Sequence, residues 1–194
     1  MPQTSRAKQT VILILAALAL SSCAGSEGSL SSTTGVLQCV QQVTEDRDYV
    51  PSLETIGNES TTDSIRILSV NLDGGKGIEL VAAFSVTRDS QVAGYVPPRP
   101  GEYGSPENDA DVRARWEKRV PISDTIVEPG DMLSLLLVLR RTGHDICLYT
   151  TGYTIKYEQY GRKYSQHATS SIVFYDGDDS AVCQDIIDDI LGSW

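Results

Sequence analysis

Residues 64–87 read SIRILSVNLDGGKGIELVAAFSVT, and their pattern governs the fold class. Ile65, Ile67, Leu68, Val70 and Leu72 form one apolar run whose phase shifts by a residue at Ile67-Leu68. Such a shift predicts a β-bulge or burial on both faces. Asp73-Gly74-Gly75-Lys76-Gly77 reads as a turn. Ile78, Leu80, Ala82, Phe84 and Val86 then alternate with a period of two, the mark of a half-buried strand. Together the two segments predict a β-hairpin with a longer loop.

Working outward, the same signals recur. Glu128-Pro129-Gly130-Asp131 is a turn, and Met132 to Leu139 places leucine at 133, 135, 136, 137 and 139. Both faces of this run are apolar, so it reads as a central strand buried on both sides. Tyr153, Ile155 and Tyr157 alternate with polar residues. Tyr160-Gly161 turns the chain, and Arg162 to Tyr175 returns it as a second hairpin. Residues 36–43 (VLQCVQQV) fit a short helix or a strand. Residues 44–63 read as polar loop, and residues 88–111 are rich in Pro and Gly. Asp109 to Arg119 carries Trp116 in a short helix or an irregular strand. In the acidic tail from Asp176, Ser180 caps an expected helix over residues 181–191, with Val182, Cys183, Ile186, Ile187, Ile190 and Leu191 on one stripe.

Short strands separated by Gly/Pro turns predict an all-β, antiparallel domain over residues 64–175 with short terminal helical segments. The order of hairpins and the size loosely resemble an immunoglobulin-like β-sandwich, without the Cys…Trp…Cys core signature of antibody domains. A small barrel is the alternative.

The chain of 194 residues carries 26 acidic and 16 basic side chains, a net charge of −10. That excess argues against nucleic acid as a partner, because phosphate binding needs a positive surface. At the start, Arg6 and Lys8 precede ten apolar residues, Val11 to Leu20, and then Ser21, Ser22 and Cys23. Ten helical residues reach about 15 Å, half of a ~30 Å hydrocarbon core, so this is a secretory leader pattern and too short for a membrane span. Leu20-Ser21-Ser22-Cys23 resembles the lipobox of bacterial lipoproteins. The resemblance implies cleavage between Ser22 and Cys23, a diacylglycerol thioether on the Cys23 sulfur, and the bilayer as a partner through that acylated residue. The protein is then expected on the extracytoplasmic face of the cell membrane. In a Gram-negative cell Ala24, which is not Asp, would send it to the outer membrane. Removal of residues 1–22 deletes two cations and no acid, giving a mature net charge of −10 − 2 = −12. Residues 23–35 read as a lipid-anchored flexible tether of roughly 20 Å reach. Residues 36–63 read as an N-terminal extension, and 176–194 as an acidic tail.

With Cys23 acylated, Cys39, Cys147 and Cys183 are left to pair in a compartment that permits disulfides. A Cys39–Cys183 bridge is the preferred expectation, because both lie outside the predicted β core; Cys147 is an alternative to either partner, and free thiols are a third outcome. No C-x-x-C occurs, and no metal site or cofactor is expected. Asp176-Gly177-Asp178-Asp179 lacks the spacing of a calcium loop. His144-Asp145 sits in a loop and His167 in a strand; neither belongs to H-E-x-x-H. The nucleophile-elbow, dinucleotide and P-loop motifs are absent, which points away from an enzyme. Tyr153, Tyr157, Tyr160 and Tyr164 define a candidate binding surface for a peptide or glycan, against the plainer reading that half of them pack inward. The expected role is an extracytoplasmic binding or assembly module meeting an envelope protein or glycan. The competing readings are a small envelope hydrolase using His144 and Asp145, and a structural spacer.

Overall fold

The computed structural model describes residues 28–41, 48–51, 54–88, 94–96, 98–99, 102–103, 110–176 and 180–192. The expected leader with Ser22 and Cys23, residues 177–179 and most of segment 88–111 lie outside them. Among the described residues the strands, in chain order, are β1 (Leu30–Ser32), β2 (Val36–Gln41), β3 (Asp48–Val50), β4 (Thr55–Asn58), β5 (Ile65–Asp73), β6 (Ile78–Thr87), β7 (Gly94–Val96), β8 (Pro98–Arg99) and β9 (Glu102–Tyr103). After the helix Ala110–Glu117 come β10 (Val120–Pro121), β11 (Ile126–Val127), β12 (Met132–Arg141), β13 (Cys147–Thr150), β14 (Gly152–Gln159), β15 (Arg162–Ala168) and β16 (Ser170–Tyr175), and then the helix Gln184–Gly192. The protein is an all-β sandwich.

One sheet is built on β12. Strand β6 pairs along one edge of β12, while β4 and β3 share the other, with β1 beyond β4, β7 beyond β3 and β10 beyond β6. Facing it are two smaller sheets, β11-β5-β14-β15 and β13-β16-β2, with β8-β9 as a separate ribbon. The pairing is antiparallel except between β2 and β16, which run parallel.

The apolar run of β12 fills two cores at once, as its sequence predicts. Leu135, Leu137 and Leu139 point between the sheets, against Ile65, Ile155 and Phe174. Leu136 and Val138 point outward, where Trp116 of the first helix covers them, 2% exposed. The phase shift at Ile67-Leu68 is a bulge: Ser69 opposes Lys156 and Ile67 opposes Tyr157, so Leu68 is the extra residue. A second bulge changes the meaning of the clean alternation in β6. Ala82 opposes Val138 and Leu80 opposes Leu139, skipping Val81. Ile78 and Leu80 therefore serve the inner core, and Ala82, Phe84 and Val86 serve the outer one.

Three expectations need correction, and one open alternative is resolved. Strands β5 and β6 do not form a hairpin; they belong to opposite sheets. Gly74, Gly75 and Gly77 all have positive φ, and Lys76 between them bonds both ways to the Tyr149 backbone, at 2.8 and 3.0 Å. That contact carries the chain across the sandwich. Second, of the helix and the strand that residues 36–43 both fit, the strand forms over 36–41, because pairing with β16 supplies the hydrogen bonds that eight residues of isolated helix would lack. Third, the return of the second hairpin divides after Ala168: β15 pairs β14, whereas β16 moves to the β13 sheet. Fourth, the domain reaches well before residue 64. Strand β1 lies inside the expected tether yet pairs with β4, and β2, β3 and β4 of the expected extension are parts of the sheets.

At the C-terminus the expected helix is present as Gln184–Gly192 after a single-turn 3-10 segment, Ser180–Cys183. Cys183, Ile187 and Ile190 pack on Val173, covering the outer face of the β13-β16-β2 sheet. Val182 and Leu191 remain exposed. Among the described residues no helix is long and apolar enough to cross a membrane.

Candidate functional site

The sandwich is open along one seam. Strand β1 ends the large sheet and β15 ends the β11-β5-β14-β15 sheet, and these two edges face each other without a ladder between them. Leu30 anchors β1 in the main core, 5% exposed, and is followed by two small residues, Ser31 and Ser32. From β15, Tyr164 and Gln166 reach the seam, and Tyr164 stacks on Tyr157 of β14 with ring centres 5.3 Å apart and planes at 22°. The result is a groove of about 550 Å³ between the two edges, whose lining also includes Gly28 and Glu59. A Cβ at Gly28 would stand 2.0 Å from the Tyr157 hydroxyl oxygen, so a larger residue there would require the Tyr157 ring or the chain at 28 to shift.

Several polar groups of this groove are uncommitted, while Ser31 donates from its hydroxyl to the Gly57 carbonyl at 3.4 Å. Among the described residues the Glu59 carboxylate and the hydroxyls of Tyr164 and Ser165 have no hydrogen-bond partner, and the Ser32 hydroxyl is buried without one. The Gln166 amide donates from Nε2 to the His167 carbonyl at 3.2 Å and keeps its oxygen available. A second groove of about 620 Å³ lies on the other side of Ser31 and shares Glu59; its walls include Asn58, Pro129 and Met132. Asn58 is spent on structure. Its Nδ2 donates to the carbonyls of Asp63 and Val127 at 2.7 and 2.9 Å, and its Oδ1 accepts from Ser60 N and Ser29 Oγ at 3.0 Å each.

The predicted tyrosine surface is not one surface. Tyr153 and Tyr157 are buried, 1% and 2% exposed, because their strand turns that face to the core. Tyr164 belongs to the seam groove. Tyr160 alone is well exposed, at the tip of the β14–β15 turn.

The candidate hydrolytic residues do not assemble into a nucleophile–base–acid set. His167 Nδ1 lies 2.8 Å from Asp73 Oδ2, and the Thr154 hydroxyl donates to that same oxygen at 2.5 Å. His167 stands on the outer face of β15, its side chain 55% exposed. Neither groove is lined by a histidine. The loop at His144 is held by Arg141, which donates to the Gly143 and Asp145 carbonyls at 2.8 and 3.1 Å and pairs with Asp176 at 2.6 Å. The Asp145 carboxylate is engaged by Lys76 at 3.0 Å. Asp176 is held below the usual carboxylate range, chiefly by the Arg141 hydrogen bond.

Sequence reasoning missed the most buried acid outside an ion pair. Glu54 is 2% exposed where three sheets meet. Its carboxylate accepts from the Tyr153 hydroxyl at 2.8 Å and from the Ser170 hydroxyl, and its carbonyl accepts from Leu135 N at 2.9 Å. Burial pushes the Glu54 carboxyl up, partly offset by those two hydroxyls; burial and the nearby carboxylate push the Tyr153 hydroxyl up as well. No residue pattern marks a lone glutamate in a polar loop as a core residue. Glu59, in the same loop, gave no signal either.

The disulfide is Cys147–Cys183, with Cα atoms 5.7 Å apart. This corrects the expected Cys39–Cys183 pair. The order β13-β16-β2 puts a whole strand between Cys147 and Cys39, and the chain before the C-terminal helix returns over β13. Cys39 is free and exposed on β2, its thiol pushed up by partial burial and so poorly ionised. Among the described residues no group of His, Cys, Asp and Glu side chains is arranged to hold a metal ion. No protein-family model and no curated protein matches this chain.

Proposed function

We propose that the protein is a lipid-anchored extracytoplasmic binding module, held to the membrane through acylated Cys23, whose site is the β1–β15 groove and whose ligand is an uncharged glycan segment. The observation that carries the reading is the convergence of free hydroxyls, a carboxylate and an amide oxygen beside the ring of Tyr164. A pyranose presents an apolar C–H face for an aromatic ring and a rim of hydroxyls that both donate and accept, which is what this mixture matches. An extended peptide fits poorly. Cα atoms of β1 and β15 approach within 8 Å of each other, and a strand inserted between two others needs about twice the ~4.8 Å interstrand spacing. Anionic ligands are disfavoured by Glu59 and by the acidic net charge.

Two measurements test this. Palmitate labelling of cells expressing the full chain should be lost in Cys23→Ala; retained labelling would count against the anchor. On an array of neutral, amino-sugar and acidic oligosaccharides, the soluble domain should bind neutral members and lose them in Tyr164→Ala and Glu59→Gln. Loss of about 1–3 kcal/mol per variant is expected from removing one stacking or charge-assisted contact. Binding that both variants leave unchanged, or no binding, would refute the groove assignment.

A further inference from the structure

We propose that the β14–β15 turn, Tyr160 to Lys163, is a second membrane contact of the anchored protein, with the Tyr160 ring at the headgroup level of a phospholipid surface. This inference rests on the lipid-anchor reading and not on the glycan groove.

Position comes first. Ser29 is clamped beside this turn: its N donates to Gln159 Oε1 at 3.1 Å, Gln159 Nε2 donates to its hydroxyl at 2.6 Å, and its carbonyl accepts from Glu59 N at 2.8 Å. Cys23 precedes Ser29 by six residues. Fully extended, that length spans at most about 21 Å. The end of the sandwich that carries Ser29, Glu59 and Tyr160 is therefore the end that an acylated Cys23 brings to the bilayer.

Chemistry comes second. Among the described residues Tyr160 is the single non-glycine residue with positive φ, 55°, and Gly161 follows at 67°. Two left-handed residues in a two-residue hairpin favour Asn-Gly, and tyrosine in the first place is disfavoured by about 1–2 kcal/mol. The fold draws little return from it. The side chain is 60% exposed, and its hydroxyl stands 3.4 Å from Ser60 Oγ. An unfavourable conformation kept for an exposed aromatic points to use outside the fold. Tyrosine suits the membrane interface, where the ring is half desolvated and the hydroxyl stays wet. Arg162 and Lys163 follow it, both exposed, and can meet lipid phosphates. Glu59, Asp63, Glu128 and Asp131 on the adjoining loops oppose an anionic surface, so the ring and not the net charge carries the contact.

The test uses the full chain, acylated in a bacterial host, purified in detergent and reconstituted into phosphatidylcholine–phosphatidylglycerol vesicles. Tyr160→Trp reports from the turn and Ile146→Trp from the exposed loop at the opposite end of β12; the unsubstituted chain gives the background of Trp116 and Trp194. With brominated phosphatidylcholine, the fluorescence added by Tyr160→Trp should be quenched and blue-shifted, and that added by Ile146→Trp should not. Equal quenching of the two, or none, in protein that floats with the vesicles would overturn the proposal while leaving the anchor intact. Protein that fails to float, with Cys23→Ala behaving identically, would remove the anchor and this contact together.

Discussion

Glu54 and Tyr160 are the residues at which this chain departs most from what local preference favours. Glu54 carries a carboxyl into the core without a cation beside it, so its folded-state pKa is raised above the ordinary value of 4.5. The folded protein then holds a proton that the unfolded chain releases. Stability from this group is full below the unfolded pKa and is lost as pH rises through the folded one. Urea unfolding between pH 4 and 8 should show that decline, and Glu54→Gln should flatten it and leave the protein more stable near neutrality. Asp176 acts with the opposite sign and on the acid side, since Arg141 depresses it. Tyr160→Asn should stabilise by roughly 0.5–1 kcal/mol, because asparagine tolerates the left-handed conformation better. A destabilised asparagine variant would mean that the tyrosine ring supports the fold itself. Gly75→Ala should behave in the contrary way. Its φ is 100° and a Cβ would meet the Tyr149 carbonyl oxygen at 2.2 Å, so the loop that crosses between sheets has to shift.

Among the described residues, each of the two α-helices matters as a cover for a sheet face. The first supplies Trp116, which with Phe84 forms an edge-to-face pair 5.8 Å apart and carries the Arg119 guanidinium over its ring. Trp116→Ala should cost about 3–5 kcal/mol by calorimetry, since it opens the outer core under β12. The C-terminal helix has its amphipathic stripe on Val173 and is stapled by Cys147–Cys183. Closing that 36-residue separation restricts the unfolded chain by roughly 4 kcal/mol in the loop-entropy treatment. Cys147→Ser should therefore lower stability and free Cys183 to react. If Cys23 is acylated as proposed, thiol titration of the unreduced, denatured protein should report Cys39 alone.

At the scale of the whole molecule the domain includes β1 to β4, which precede residue 64. A chain starting at residue 28 should unfold cooperatively by circular dichroism. One starting at residue 64 should not, because it lacks β1 to β4 together with the core residues Val50 and Ile56, which are 1% and 0% exposed. Equal cooperativity of both chains would place the boundary where composition alone suggests it. The sequence by itself determined the strand-rich class, an irregularity at Ile67-Leu68, the two-sided burial of β12 and the C-terminal amphipathic helix. Each of these is written in the spacing of neighbouring apolar residues, and burial of apolar area acts at that range. What only the tertiary structure decided is which strand pairs with which: the parting of β5 from β6, the place of β1 and β2, the cysteine that meets Cys183, and the seam groove with Glu59 and Tyr164. Those contacts join residues far apart in the chain, where pairing is settled by competition among sheet edges and no local period records the outcome.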